Sequence, residues 1–87
     1  MKVKRTNVTY GQLNQAMSLL GVSRRLIKNN PPANAYEHPE RGLIIILPAS
    51  SESTRVYGHH LVAVRTLLDN FGIAEPTVFD AELQKAG

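Results

Sequence analysis

The chain has no cysteine and no tryptophan among its 87 residues, and it has no long apolar run. Without cysteine there can be no disulfide framework, no thiolate metal ligand and no thiol nucleophile. The longest apolar stretch, Leu43–Leu47, is far too short to cross a bilayer. No apolar segment follows the basic first residues, as it would in a signal peptide. These features predict one cytoplasmic domain over residues 1–87, and no motif in it calls for a cofactor or a metal.

Acidic residues are absent from positions 1–36, although the whole chain has seven. A domain with one basic half is typical of proteins that bind a polyanion, nucleic acid above all. The alternative is that the net charge of +3 only keeps a short chain soluble. The basic residues of the strand predicted within residues 22–28 would then only protect an edge strand from aggregation. The basic residues predicted to contact RNA phosphates are Lys4, Arg5, Arg24, Arg25 and Lys28.

Three helices are predicted from capping and apolar spacing. Thr9 and Gln12 have the spacing of a capping box, and a stripe from Leu13 to Leu20 follows before Gly21 ends the helix. A second helix is predicted from about Gly58 to Phe71, with Gly72 as its stop. Thr77 is expected to cap a short last helix. Residues 1–8 are read as a basic arm, frayed or forming a short edge strand.

Three strands are predicted between the first two helices, and residues 49–57 are read as a polar loop. The first strand, within residues 22–28, has poor alternation and is expected at an edge. The other two form a hairpin turned at Pro39 and Gly42, with the β-branched run Leu43–Leu47 as its second strand. The order α-β-β-β-α with a C-terminal helix predicts an α+β domain, with helices on one face of a three-stranded antiparallel sheet.

Several segments resemble the HicA, or YcfA-like, toxin family. The resemblance rests on Gly21-Val22, Tyr36-Glu37-His38-Pro39, Leu47-Pro48 and, most specifically, Arg65-Thr66-Leu67-Leu68 followed by Gly72-Ile73. It covers roughly residues 9 to 80. It implies a fold like that of double-stranded RNA-binding domains, and mRNA cleavage held in check by a HicB-type antitoxin.

The family's catalytic motif, Gly-Ser-His-His at the second strand, is not matched. One alignment places Asn29-Asn30-Pro31-Pro32 there and the other Pro31-Pro32-Ala33-Asn34. General base catalysis on a ribose 2′-hydroxyl needs a group that exchanges protons near neutral pH, which asparagine and proline lack. The sequence therefore predicts an RNA-binding domain without mRNA interferase activity and with no catalytic residue assigned.

The chain's three histidines leave other readings open. His38, beside the hairpin turn, could act as a relocated acid or base, or could be a solvated turn residue. His59 and His60 are adjacent on a predicted helix and so point about 100° apart. A zinc site would need His38 to come close to them; otherwise one faces solvent and the other packs at the helix start.

Both faces of the Leu43–Leu47 strand are apolar, whereas helices in so short a chain can cover one. The uncovered face is expected to form an interface, either a homodimer or a contact with a partner such as an antitoxin. Ile44 and Ile46 are the residues assigned to it. The alternative is that the N-terminal arm or the 49–57 loop covers this face. A non-catalytic module for homodimerisation is therefore the second functional hypothesis.

Overall fold

The architecture was determined in a computed structural model that describes residues 5–86. The strands are β1 (Arg5–Thr9), β2 (Ser23–Ile27), β3 (Ala33–His38), β4 (Leu43–Pro48) and β5 (Arg55–Tyr57). The helices are α1 (Tyr10–Leu19), α2 (Gly58–Asn70) and α3 (Pro76–Ala86). The domain is α+β, as predicted, and its central part has the predicted α-β-β-β-α order. Lys4 lies outside the described residues.

A three-stranded antiparallel sheet of order β2-β3-β4 forms the centre of the fold. A turn of 3-10 helix at Pro39–Arg41 connects β3 to β4. Gly42 follows it with a φ of 71°. Side chains of β4 alternate strictly between buried and exposed. Leu43, Ile45 and Leu47 enter the core, and Ile44 and Ile46 are on the exposed face, as predicted.

The helices bury the inner face of this sheet. Thr9 caps α1 through the predicted capping box, in which its hydroxyl accepts from the Gln12 amide. Leu13, Val64 and Phe79, one from each helix, are fully buried and belong to a single apolar cluster with the β4 residues. Each such side chain contributes about 1.5–3 kcal/mol when removed from water.

A second, two-stranded sheet joins β1 to β5 and was only partly foreseen. The loop prediction is wrong for residues 55–57, because Arg55–Tyr57 pairs antiparallel with β1 across some fifty residues of chain. The preceding residues turn towards α1, where the Tyr10 amide donates to the Thr54 carbonyl and the Gly11 amide to the Glu52 carbonyl. The 49–57 segment therefore does not cover the outer face of β4.

Helix α3 begins one residue earlier than Thr77. Pro76 is its first residue, and the Glu75 carbonyl accepts the first helical hydrogen bond, from the Phe79 amide. Proline suits the first position of a helix because its φ is already helical and no amide is wasted there. The capping role predicted for Thr77 is wrong. No helix among the described residues is long and apolar enough to cross a membrane.

Candidate nucleic-acid interface

Arg24 and Arg25 lie on opposite faces of the central sheet, although they are adjacent in sequence. In the β2–β3 register, Arg24 is opposite Tyr36, whose side chain is fully buried beneath α1. Arg25 is on the outer face, where its Nε donates to Glu37 Oε1 at 3.1 Å. Alternation along a strand requires this separation. The two arginines therefore cannot act as one patch.

Arg24 borders a small polar pocket between α1 and β2. The pocket has a volume of about 240 Å³ and is lined by Asn14, Met17, Ser18, Val22, Ser23, Arg24 and Tyr36. The Tyr36 hydroxyl donates to Asn14 Oδ1 at 2.6 Å, which fixes the amide at the pocket wall. Arg24 forms no ion pair with any of residues 5–86. Its exposed guanidinium can therefore bind an anion without first breaking a salt bridge.

A second exposed arginine, Arg5, lies at the start of β1 and is opposite Tyr57 of β5. Arg5 stacks over the Tyr57 ring at 4.0 Å from the centroid. It also donates to the Arg55 carbonyl and to the Tyr57 hydroxyl, each at 2.7 Å. These contacts hold the guanidinium in place while leaving other N–H groups on it for a ligand.

Each of these arginines lies near one buried tyrosine. Burial raises the pKa of Tyr10, and the nearby charge of Arg5 partly offsets that rise. Burial likewise raises the pKa of Tyr36, partly offset by Arg24. Both hydroxyls therefore stay protonated at neutral pH.

The exposed side of α1 is uncharged and, apart from Leu19 at its end, polar. No residue of the segment Tyr10–Leu19 is charged, and Asn14, Gln15 and Ser18 are at least partly exposed. Ten helical residues span about 15 Å. We name the surface formed by Asn14, Gln15, Ser18 and Arg24 the α1 surface. It presents amide and hydroxyl groups beside the Arg24 guanidinium.

The three histidines are not brought together as a metal site. Among residues 5–86, no group of three histidine or acidic side chains is placed to hold a metal ion. His59 and His60 lie beside each other with ring centroids 4.2 Å apart, and both contact Tyr57. Burial, and then the neighbouring His59, lower the pKa of His60. The His38 ring lies near Gly21, and its Nδ1 is buried without a hydrogen-bond partner among the described residues.

The remaining predicted residues are exposed and distributed. Lys28 follows the end of β2 and is exposed. Ile44 and Ile46 are 63% and 60% exposed on the outer face of β4.

Comparison with known proteins adds no relative, since no family model, curated protein or solved structure matches the chain.

A larger cleft, of about 500 Å³, lies at the corner between α2 and α3. Its lining includes the carboxylates of Asp69 and Glu75 together with Val78. Two carboxylates would repel a phosphate backbone. The α1 surface is therefore the better candidate for binding RNA. The sequence contains a signal for it, because the first predicted helix has no charged residue.

Proposed function

We propose that this chain is a small HicA-like RNA-binding domain without mRNA interferase activity, belonging to a toxin–antitoxin type of pair. The observation that carries the proposal is the α1 surface, with its uncharged helix beside the unpaired Arg24. Double-stranded RNA is bound largely through 2′-hydroxyl and phosphate contacts across the minor groove. Amides and hydroxyls suit the sugar hydroxyls, and the Arg24 guanidinium suits a flanking phosphate.

The HicA-like part of the proposal is supported by the helix-two segment Arg65–Ile73 and by the observed α-β-β-β-α order. The lack of nuclease activity follows from the residues at the matching positions, Asn29–Asn34, which include no histidine. A proton-transfer group is needed there to activate a ribose hydroxyl. The partner implied by the family is a HicB-like antitoxin.

Fluorescence anisotropy with a labelled RNA duplex of about 20 base pairs tests RNA binding. The same sequence as DNA duplex and as single-stranded RNA provides the controls. We expect the RNA duplex to bind most tightly, with log affinity falling by about one unit or more per unit of log salt, because Arg24 contacts at least one phosphate. Equal binding of the DNA duplex would remove the role given to the 2′-hydroxyl. No binding of any nucleic acid at about 50 mM salt would refute the proposal.

The second candidate function is that of a non-catalytic interaction module acting through the outer sheet face. It is favoured by a different observation, the exposure of Ile44 and Ile46 on a strand whose outer face is left uncovered by residues 5–86. Contiguous exposed apolar surface on a small domain commonly marks a protein interface. Sedimentation velocity over a concentration series tests it, and a chain that stays monomeric up to about 1 mM would leave only a foreign partner.

A further inference from the structure

The outer edge of β4 bears backbone groups that point away from the sheet. The Ala49 amide donates to the Pro32 carbonyl at 3.1 Å, one step beyond the Ala33–Pro48 pair of the β3–β4 register. Hydrogen-bonded and non-hydrogen-bonded pairs alternate in an antiparallel ladder. Leu43, Ile45 and Leu47 therefore bond to β3. The amides and carbonyls of Ile44 and Ile46 point outwards.

These outward groups have no hydrogen-bond partner within residues 5–86. Pro48 is also one of the residues whose backbone groups point outwards, and it has no amide hydrogen. Proline is tolerated at such a position of an edge strand because no bond within the sheet is lost. The two isoleucines with large exposed side chains are thus the same residues that hold the open amides. Both features lie along one edge.

The two edges of the central sheet differ in charge. The β2 edge carries Arg24, Arg25 and Lys28, and charged edge strands resist pairing with a copy of themselves. Strand β4, with the sequence Leu-Ile-Ile-Ile-Leu-Pro, carries no charge. A long apolar edge without charge is open to pairing with another strand. A second copy of the same edge meets it without repulsion.

We propose that β4 pairs antiparallel with β4 of a second copy, which joins two central sheets into one of six strands. The register is centred on Ile45, so that Ile44 of one copy is opposite Ile46 of the other. In this register both outward amides of each copy find a carbonyl, and the missing amide of Pro48 costs nothing. The four isoleucine side chains then form one cluster on the outer face.

The contact is small, so the dimer is expected to be weak and concentration-dependent. One strand and two side chains per copy bury less than the roughly 1,200–2,000 Å² of a standard stable interface. The inference deepens the second candidate function and is independent of RNA binding. Sedimentation reports whether the chain self-associates at all, and amide exchange reports which edge is used, so the two failures can be told apart.

Amide hydrogen exchange by NMR, at about 20 μM and about 1 mM, tests the edge without any substitution. We expect the Ile44 and Ile46 amides to gain protection with concentration, in parallel with the sedimenting dimer. The Arg24 and Leu26 amides, which the same alternation places on the opposite edge, are the internal control and should not change. A dimer in which Ile44 and Ile46 exchange as fast as in the monomer would overturn the edge model in favour of stacked faces. A monomer at both concentrations would overturn self-association altogether.

A pair of variants at one position separates backbone from side chain. Ile46→Pro removes an amide that makes no bond within the sheet, so the fold should persist while dimerisation is lost. Ile46→Thr keeps the amide and removes apolar surface, so it should weaken the dimer by a smaller factor. Circular dichroism checks folding of both. A folded Ile46→Pro variant that dimerises like the wild type would contradict the proposal, and if it does not fold, the exchange measurement still decides.

Discussion

Replacing Arg24 and Arg25 one at a time separates RNA binding from general surface charge. The two substitutions remove identical charges from adjacent positions, so any electrostatic effect of net charge is the same for both. Arg24 is unpaired among residues 5–86 and adjoins α1, whereas Arg25 is on the opposite face and bound to Glu37. We expect Arg24→Ala to weaken binding to an RNA duplex and Arg25→Ala to leave the salt dependence unchanged.

The magnitude follows from counterion release. Each neutralised phosphate contributes about 0.9 to the slope of log affinity against log salt. Losing one contact should therefore flatten the slope by about 0.9, and the loss of affinity should be about 3.5-fold larger at 50 mM than at 200 mM salt.

Anisotropy titrations of each variant at four or more salt concentrations provide the slopes. Thermal melts confirm that the variants fold, which is expected because both arginine side chains are exposed. An unchanged slope for Arg24→Ala would show that the α1 surface does not contact phosphate. A flattened slope for Arg25→Ala alone would move the interface to the outer sheet face.

Three further outcomes are expected. Tyr36→Phe should lower the free energy of unfolding by about 1 kcal/mol in denaturant titrations, because the 2.6 Å hydrogen bond to Asn14 is lost; an unchanged midpoint would contradict this. Burial lowers the pKa of His60 in the folded chain below its usual 6.5. Because the unfolded chain then binds the proton more tightly, the free energy of unfolding should fall as the pH drops below about 6.5. His60→Gln should reduce that dependence between pH 7 and 5, and a curve identical to the wild type would point to another group. Induced expression should cause no RNA cleavage; growth arrest abolished by His38→Ala would restore the enzyme hypothesis.

Local chemistry made much of the fold predictable. The capping box at Thr9 and the glycine stops at Gly21 and Gly72, both with positive φ, are determined by neighbouring residues alone. Both faces of β4 are apolar in the sequence, and the prediction that the smaller set, Ile44 and Ile46, faces outwards is confirmed by their exposure. Signals of this kind depend on a few adjacent residues and so survive in the sequence.

Pairings between distant segments could not be predicted in the same way. Strand β5 is three residues long, and its partner β1 is fifty residues away, so no local pattern distinguishes it from a loop. The α1 surface is similar, since it joins residues from α1 and β2. The split between Arg24 and Arg25 is different: strand alternation alone predicts it, provided that the strand is assigned first.

The two surfaces, if both act, are coupled through geometry. Pairing along β4 in the proposed register puts outer face beside outer face, so both copies present α1 on the same side of the six-stranded sheet. The two β2 strands would then be about 24 Å apart, five spacings of about 4.8 Å. A long RNA duplex could contact both copies, and binding of the second copy would be intramolecular.

Replacing Ile44 and Ile46 together with threonine should therefore weaken binding to a long duplex by roughly tenfold or more, through lost avidity. The double substitution should not change binding to a short duplex that accommodates only one copy, because the α1 surface is intact. Equal affinity of the double variant and the wild type for the long duplex would show that the dimer and the RNA site act independently.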